Sequence, residues 1–215
     1  MKTLILDFVG VIADLNKRKL VNDLTLKQKF SALRIYASQK KYPDIKLFFN
    51  AYQKGFLEMP ELEYEIKKIL PNSAYVVPYA LSGLQQSIEV NNVVLNLVQI
   101  IRQAGVKVIV MSNSTPETEY VMKKCNLNEY FDGIILSTVI GSIKPEEKIY
   151  EYAITKFNID SENTYMIDDT KKNLETARKF GILTERCKNT KDTIECLYEY
   201  IKQIKNDYQL ERKIK

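Results

Sequence analysis

Short apolar runs alternate along this chain with longer stretches of helical periodicity. The runs cover residues 3–8, 106–111, 133–136, 164–167 and, more weakly, 181–184. They are brief, mostly apolar and rich in β-branched residues, which suits strands buried on both faces. Between them, residues 92–103 carry Val93, Val94, Leu97, Val98, Ile100 and Ile101 at helical spacing, and Gly105 stands where a C-terminal cap belongs. Residues 145–157 and 171–180 read as two further helices, the second stopped by Gly181. From Lys191 onward one amphipathic helix carries Ile194, Leu197, Ile201 and Ile204 on one side. This alternation predicts an α/β fold, a doubly wound parallel sheet with helices on both faces.

Residues 16–91 break the rhythm. They contain no convincing strand, and 21–39, 45–55 and 60–70 read as helices broken at Pro43, Pro60 and Pro71. The expected organisation is a sheet-bearing core of residues 1–15 and 92–215, with an all-helical cap of residues 16–91 inserted after the first strand. An insertion there lies over the ligand end of the sheet.

Composition narrows the function. Of 215 residues, 45% are hydrophobic and 27% charged, which is ordinary globular usage and excludes a disordered or collagen-like chain. The 32 basic and 27 acidic side chains leave a net charge of +5, spread along the chain, so no nucleic-acid partner is indicated. There is no histidine, which excludes Ser-His-Asp hydrolases and histidine-ligated metal sites. Cys125, Cys187 and Cys196 form no CxxC pair, as expected of reduced, buried thiols in a cytoplasmic protein. Lys2 and the apolar stretch from Leu4 to Leu15 resemble a leader, but Asp7 and Asp14 interrupt it and no small-residue cleavage pattern follows. No run of 18 apolar residues exists, so no membrane association is expected. A monomer or a homodimer fits equally well.

Three of the expected strands end in polar clusters: Asp7, Ser112-Asn113 and Asp168-Asp169. Ligands of open parallel sheets bind beyond the carboxyl ends of the strands, so these groups should converge, with Lys144 from the loop 141–145 joining them. Each alone has an ordinary explanation: Asp7 as a turn residue, Ser112-Asn113 and Asp168-Asp169 as helix caps, Lys144 as a solvated cation. Together they pose an electrostatic problem. Two unit charges about 4 Å apart repel by roughly 4 kcal/mol at an effective dielectric of about 20, and three carboxylates would meet here. One Mg²⁺ with Lys144 supplies three positive charges, and Mg²⁺ takes carboxylates, water and phosphate oxygens. A carboxylate beside such an ion, with a lysine and a serine facing a phosphoryl group, can act as a nucleophile.

The ordered motifs resemble those of the haloacid dehalogenase superfamily. Residues 4–12, Leu-Ile-Leu-Asp-Phe-Val-Gly-Val-Ile, look like its first motif, and Val110-Met111-Ser112-Asn113 is similar to its second. Residues 141–146, followed by Ile149-Tyr150, resemble the third, and Ile167-Asp168-Asp169 with Asn173, Ala177 and Gly181 the fourth. Within the superfamily the chain most resembles the branch holding sugar-1-phosphate phosphatases and the phosphatase domain of soluble epoxide hydrolase. The resemblance implies a Rossmann-like core and a Mg²⁺-dependent phosphohydrolase of small phosphorylated metabolites. In that scheme Asp7 attacks phosphorus to form an aspartyl-phosphate. Ser112 and Asn113 hold the phosphoryl oxygens or the substrate, and Lys144 steadies Asp7 and the transferring group. The metal is held by Asp7, the Val9 carbonyl and Asp169, with Asp168 as a ligand or just behind one.

One position departs from the pattern. Most phosphatases of this family have a second Asp two residues after the nucleophile, where this chain has Val9. General acid–base help is typically worth about 10²–10⁴-fold. Its absence leaves three chemistries open: a phosphatase for esters with good leaving groups, a phosphate-ester-binding protein of low turnover, or a 2-haloacid dehalogenase, whose halide leaves without a proton. Asp14 is a candidate replacement acid, with a cap or hinge role as its ordinary alternative. Tyr36, Tyr42, Tyr52, Tyr64, Tyr75 and Tyr79 of the insert are expected mostly to pack against the sheet domain, with one or two facing substrate.

Overall fold

The computed structural model describes residues 2–214, with side chains described as far as residue 206. Strand β1 (Thr3–Leu6) leads through a turn to β2 (Ala13–Leu15). Five helices follow: α1 (Lys17–Asn22), α2 (Leu26–Ser38), α3 (Asp44–Gln53), α4 (Met59–Ile69) and α5 (Val77–Ser87). Strand β3 (Ile88–Val90) then returns, and the alternation resumes with α6 (Asn92–Gln103), β4 (Lys107–Ser112), α7 (Pro116–Lys124), β5 (Gly133–Leu136), α8 (Ser137–Ile140) and α9 (Glu147–Phe157). It closes with β6 (Thr164–Asp168), α10 (Lys171–Lys179), β7 (Leu183–Arg186) and α11 (Thr190–Ile214).

Five strands form a parallel sheet in the order β5-β4-β1-β6-β7, so β1 is central, with β4 and β6 paired to its two edges. Strand periodicity explains why both faces are apolar. Leu4 and Leu6, with Val108, Val110 and Ile167, join one core with α6, α7 and α11. Ile5, with Ile109, Met111 and Met166, joins the opposite core with α9 and α10. Full burial of side chains of this size stabilises by about 1.5–3 kcal/mol each. The helical block has a core of its own, built on Ile35, Ile45, Leu62, Ile66 and Val76.

The parallel α/β architecture agrees with the sequence reading, and α6 spans the expected residues, with Gly105 in the left-handed conformation behind it. The insert differs in detail. The expected helix over 21–39 is two, because Thr25 and Gln28 form a reciprocal capping box that starts α2 afresh. Helix α5 has no counterpart in the sequence reading; its Pro78 lies in the first turn, where a missing N–H costs nothing. Strand β3 is also new. It pairs antiparallel with β2, so the chain's way into the helical block and its way out are joined in a two-stranded ribbon. The ribbon is tied to α11: the Thr190 N–H donates to Asp14 at 3.1 Å, its hydroxyl donates to the same carboxylate, and Asn91 Nδ2 donates to that hydroxyl at 3.0 Å. The last strand, expected over 181–184, lies two residues later. The three cysteines are free; Cys187 is buried, and Cys125 and Cys196 are only half-buried. Among the described residues no helix is long and apolar enough to cross a membrane.

The edge strand β5 is registered by a carboxylate. Asp132 accepts the Val108 N–H at 2.7 Å and the Arg102 guanidinium at 2.8 Å, joining α6, β4 and the start of β5. Burial opposes its ionisation, but the Arg102 hydrogen bond and the Val108 N–H outweigh it and hold the carboxyl below the ordinary Asp value. A depressed acid contributes stability above its ordinary range and loses it as pH falls through the folded value. Asp132→Asn should cost about 1–2 kcal/mol at neutral pH, and less in acid, as read by urea unfolding at the two pH values.

Candidate active site

Four loops at the carboxyl ends of the parallel strands build the site. Asp7 follows β1 and continues its pairing, its N–H donating to Ile167 O at 3.0 Å. Its Oδ1 accepts the Phe8 N–H at 2.7 Å and the Lys144 ammonium at 2.8 Å, so Oδ2 takes neither bond. Asp168 ends β6 with no exposure to solvent. Its Oδ2 accepts from Lys144 at 2.7 Å, its Oδ1 from the Thr170 N–H at 2.8 Å, and both oxygens from Asn173 Nδ2. Both Asp168 oxygens are thus taken by N–H donors, which makes it the group that orients Lys144.

Lys144 is 97% buried, which fits a lysine that has two carboxylate partners. Asn113 fixes its backbone from both sides, accepting the Lys144 N–H at 2.7 Å and donating to the Lys144 carbonyl at 2.9 Å. Behind the loop, Thr176 Oγ1 donates to Pro145 O at 3.1 Å, and Glu146 accepts from Ser142 and from the Ile143 N–H. Ser112 ends β4 and is buried.

Asp169 accepts from Thr170 Oγ1 through Oδ1, while Arg186 Nε holds its carbonyl at 2.8 Å. Its Oδ2 lies against the bare backbone of Gly10, where an added Cβ would stand 2.8 Å away. Gly10 has φ +96°, so its lack of a side chain serves both the turn and this close approach. One carboxylate oxygen from each of Asp7, Asp168 and Asp169 lies within 4.8 Å of the other two. Three clustered carboxylates face a single lysine. The donors are all hard oxygens, and this set suits a small divalent cation.

Burial pushes the Asp7 carboxyl up to about 7; Lys144 pulls it down and Asp168 adds to the rise. Burial alone would lower Lys144, but Asp7 and Asp168 outweigh it and hold the ammonium above the ordinary lysine value. The Tyr150 hydroxyl is raised by burial and by the same two carboxylates, and it donates to Asn173 O at 2.8 Å.

The residues singled out in the sequence therefore meet, with two corrections. Asp14 is no replacement acid: both its oxygens accept from Thr190, in the ribbon beneath the helical block. The insert's tyrosines do not mostly pack on the sheet domain, since Tyr36, Tyr64 and Tyr79 are exposed. Tyr52 does reach it, donating to Glu117 Oε1 at 2.8 Å. Val9 is half-buried, and its apolar side chain packs against the core that contains Leu4 and Leu6. The helical block presses on the site: Ser137 Oγ donates to Gln53 O at 2.6 Å, Lys54 pairs with Glu146 at 2.6 Å, and Gly55 sits against the Thr138 carbonyl. Glu117, Tyr52 and Gln53 carry no local sequence signal; their meeting is made by the tertiary fold.

The family model described as haloacid dehalogenase-like hydrolase matches residues 1–181. The chain is 23% identical over 202 residues to a D-ribitol-5-phosphate phosphatase of Bacteroides thetaiotaomicron, covering 89% of this chain and 94% of that one. It is 35% identical over 66 residues to the bifunctional epoxide hydrolase 2 of Mus musculus, a match covering 31% of this chain and only 12% of that protein. A solved family enzyme of Bacteroides thetaiotaomicron, in complex with magnesium and inorganic phosphate, superimposes with a TM-score of 0.65 at 21% identity over 86% of this chain and 93% of that one. At that identity the likeness is one of fold.

A cation that fits the carboxylate cluster should stabilise the folded chain. With Mg²⁺ at about a hundred times its Kd, the midpoint of thermal unfolding should rise by roughly 5–10 °C. Asp169→Asn should remove most of that rise in the same melting experiment.

Proposed function

We propose that this chain, which belongs to the haloacid dehalogenase-like hydrolases, is a Mg²⁺-dependent phosphohydrolase of small phosphorylated metabolites. The observation that carries this reading is the Lys144 ammonium shared by Asp7 and Asp168, with Asp169 beside them. The phosphatase named among its relatives and the phosphate-bearing complex of a like fold support it. In this reading residues 1–15 and 92–215 are the catalytic core and residues 16–91 the cap that selects substrate.

Asp7 and Asp169 would hold the metal with the Val9 carbonyl, and Asp168 stands behind them. When bound, Mg²⁺ supplies positive charge to the phosphoryl oxygens and balances the carboxylates. The chain's own residues do the rest. Asp7 Oδ1 is pinned by Phe8 and Lys144, which leaves Oδ2 to attack phosphorus. The ester P–O bond breaks as the Asp7–phosphorus bond forms, and the aspartyl-phosphate results. Lys144 stays charged throughout and faces the transferring group, and Ser112 offers its hydroxyl to a phosphoryl oxygen. Water then attacks phosphorus, releases inorganic phosphate and restores Asp7. Asn113 acts by placing Lys144.

Val9 gives this mechanism its character. Without an acid there, the leaving oxygen departs as an anion and takes its proton from solvent, so esters of acidic alcohols are favoured. The same residue favours the second reading, a phosphate-ester-binding protein of low turnover. Halide displacement from a haloacid needs no metal and would leave the Asp169 charge without a role.

With Mg²⁺ the chain should hydrolyse p-nitrophenyl phosphate, and Asp7→Asn should cut the rate by about 10³-fold or more. An unchanged rate in that variant refutes the mechanism, and tight ester binding without turnover under any metal selects the second reading. Val9→Asp should raise kcat/KM for alkyl phosphates by about 10²-fold and for aryl phosphates far less, as steady-state kinetics on matched esters would read. Equal gains on both would mean that proton delivery is not what position 9 lacks.

A further inference from the structure

The three cysteines of this chain are placed differently. Cys125 stands at the end of α7, while Cys187 follows the edge strand β7 and Cys196 lies in the second turn of α11. Cys187 and Cys196 are brought together by the fold, and their thiols hydrogen-bond to each other. The Tyr165 hydroxyl, from β6, lies 3.9 Å from Cys196 Sγ. Cys187 is buried, whereas Cys196 is only half-buried. Both thiols border an open cleft of about 900 Å³ between β7 and α11, with Tyr165, Glu185 and Tyr198 among its other walls.

The contact divides the labour between the two sulfurs. The Cys187 thiol donates to the Cys196 sulfur, which holds Cys196 below the ordinary thiol value. Burial and the Glu185 carboxylate oppose that shift, and the Tyr165 hydroxyl assists it. The same hydrogen bond, together with burial, raises Cys187, so Cys187 keeps its proton. The thiolate rather than the thiol is the nucleophile of sulfur chemistry, and it must also be reachable. Cys196 meets both conditions, since a small solute in the cleft can touch it. Cys187 is enclosed behind it, within reach of Cys196 and of little else.

We propose that Cys187 and Cys196 are a site of reversible oxidation, at which a peroxide converts the neighbouring thiols to a disulfide. The Cys196 thiolate attacks one peroxide oxygen; the O–O bond breaks, and the displaced oxygen takes a proton and leaves as water. Cys196 is then a sulfenic acid. The Cys187 sulfur attacks the Cys196 sulfur, the S–O bond breaks, and the hydroxyl takes the Cys187 proton and leaves as a second water. Two thiols lose two electrons and the peroxide gains them. A thiol reductant reverses the step by exchange. The bond fastens β7 to α11 between two contacts already described. Arg186, next to Cys187, pairs with Asp168 across the strands and holds the Asp169 carbonyl at 2.8 Å. Thr190, at the start of α11, holds Asp14. This site does not depend on the phosphohydrolase reading.

The test treats the fully reduced, full-length chain with a few equivalents of hydrogen peroxide, blocks the remaining thiols with N-ethylmaleimide and digests without reductant. The chain should become about 2 Da lighter before blocking, as expected for loss of two hydrogens. Its free thiols should fall from three to one, the survivor being Cys125. Peptide mapping should find Cys187 joined to Cys196, and dithiothreitol should separate them. Cys125→Ser should leave the bond unchanged. In Cys187→Ser the reaction should stop at a Cys196 sulfenic acid, trapped by dimedone. In Cys196→Ser, oxidation of Cys187 should slow by about tenfold or more. Peptide mapping of the unsubstituted chain decides the matter even where a variant fails to fold. Survival of all three thiols, a bond that includes Cys125, or a Cys187–Cys196 bond that forms no faster in the folded chain than in urea would overturn the proposal; the last would mean that closeness in sequence, not the fold, joins them.

Discussion

One buried ammonium organises the functional end of this molecule. Lys144 is enclosed at the cost of its hydration, and that cost is offset only because Asp7 and Asp168 both reach it. The geometry of the pair is inherited from the sheet. β1 and β6 are neighbours, so their terminal carboxylates are held a strand's width apart, and Lys144 spans them. Lys144 itself comes from a loop that has no regular structure to hold it. Its backbone is held by Asn113, from the far side of β1, so all four strand-end motifs are needed for one cation to sit still. Asp169 then adds a negative charge that Lys144 cannot balance, which is why the cluster is suited to a divalent ion.

The sheet was legible because its signal is local. Runs such as Leu4-Ile5-Leu6 and Val108-Ile109-Val110 are apolar at every position, and only a strand between two helical layers buries both faces. The motifs at the strand ends were legible for a related reason: the rule that ligands gather at the carboxyl ends of parallel strands turns sequence order into spatial convergence. The helical block was less so. Pro71 reads as a breaker, but nothing local announces that a further helix, α5, starts around Pro78, and the three-residue β3 is too short to announce itself without its partner β2. Asp14 shows the limit for single residues. Its sequence neighbourhood allowed a catalytic role, but its partner Thr190 lies 176 positions away, and no local pattern signals such a contact. Glu117 is the converse, an ordinary first-turn glutamate until tertiary packing encloses it.

Val9 separates binding from chemistry in this fold. The metal and phosphoryl contacts attributed to the turn after Asp7 use backbone, so an apolar side chain there leaves them intact and gains packing against the core. In the mechanism proposed above, what it removes is proton traffic. Under that proposal the site would discriminate by the acidity of the departing alcohol as well as by its shape, without any change to the charged framework.

The ribbon of β2 and β3 has a further implication. Both strands that carry the helical block are anchored to the opening residues of α11 by Asp14, Asn91 and Thr190. The carboxyl-terminal helix, which contributes none of the four motifs, is in effect the gatepost on which the roof is hung. A substitution in those opening residues would therefore reach both strands that enter and leave the helical block without touching any of the four motifs.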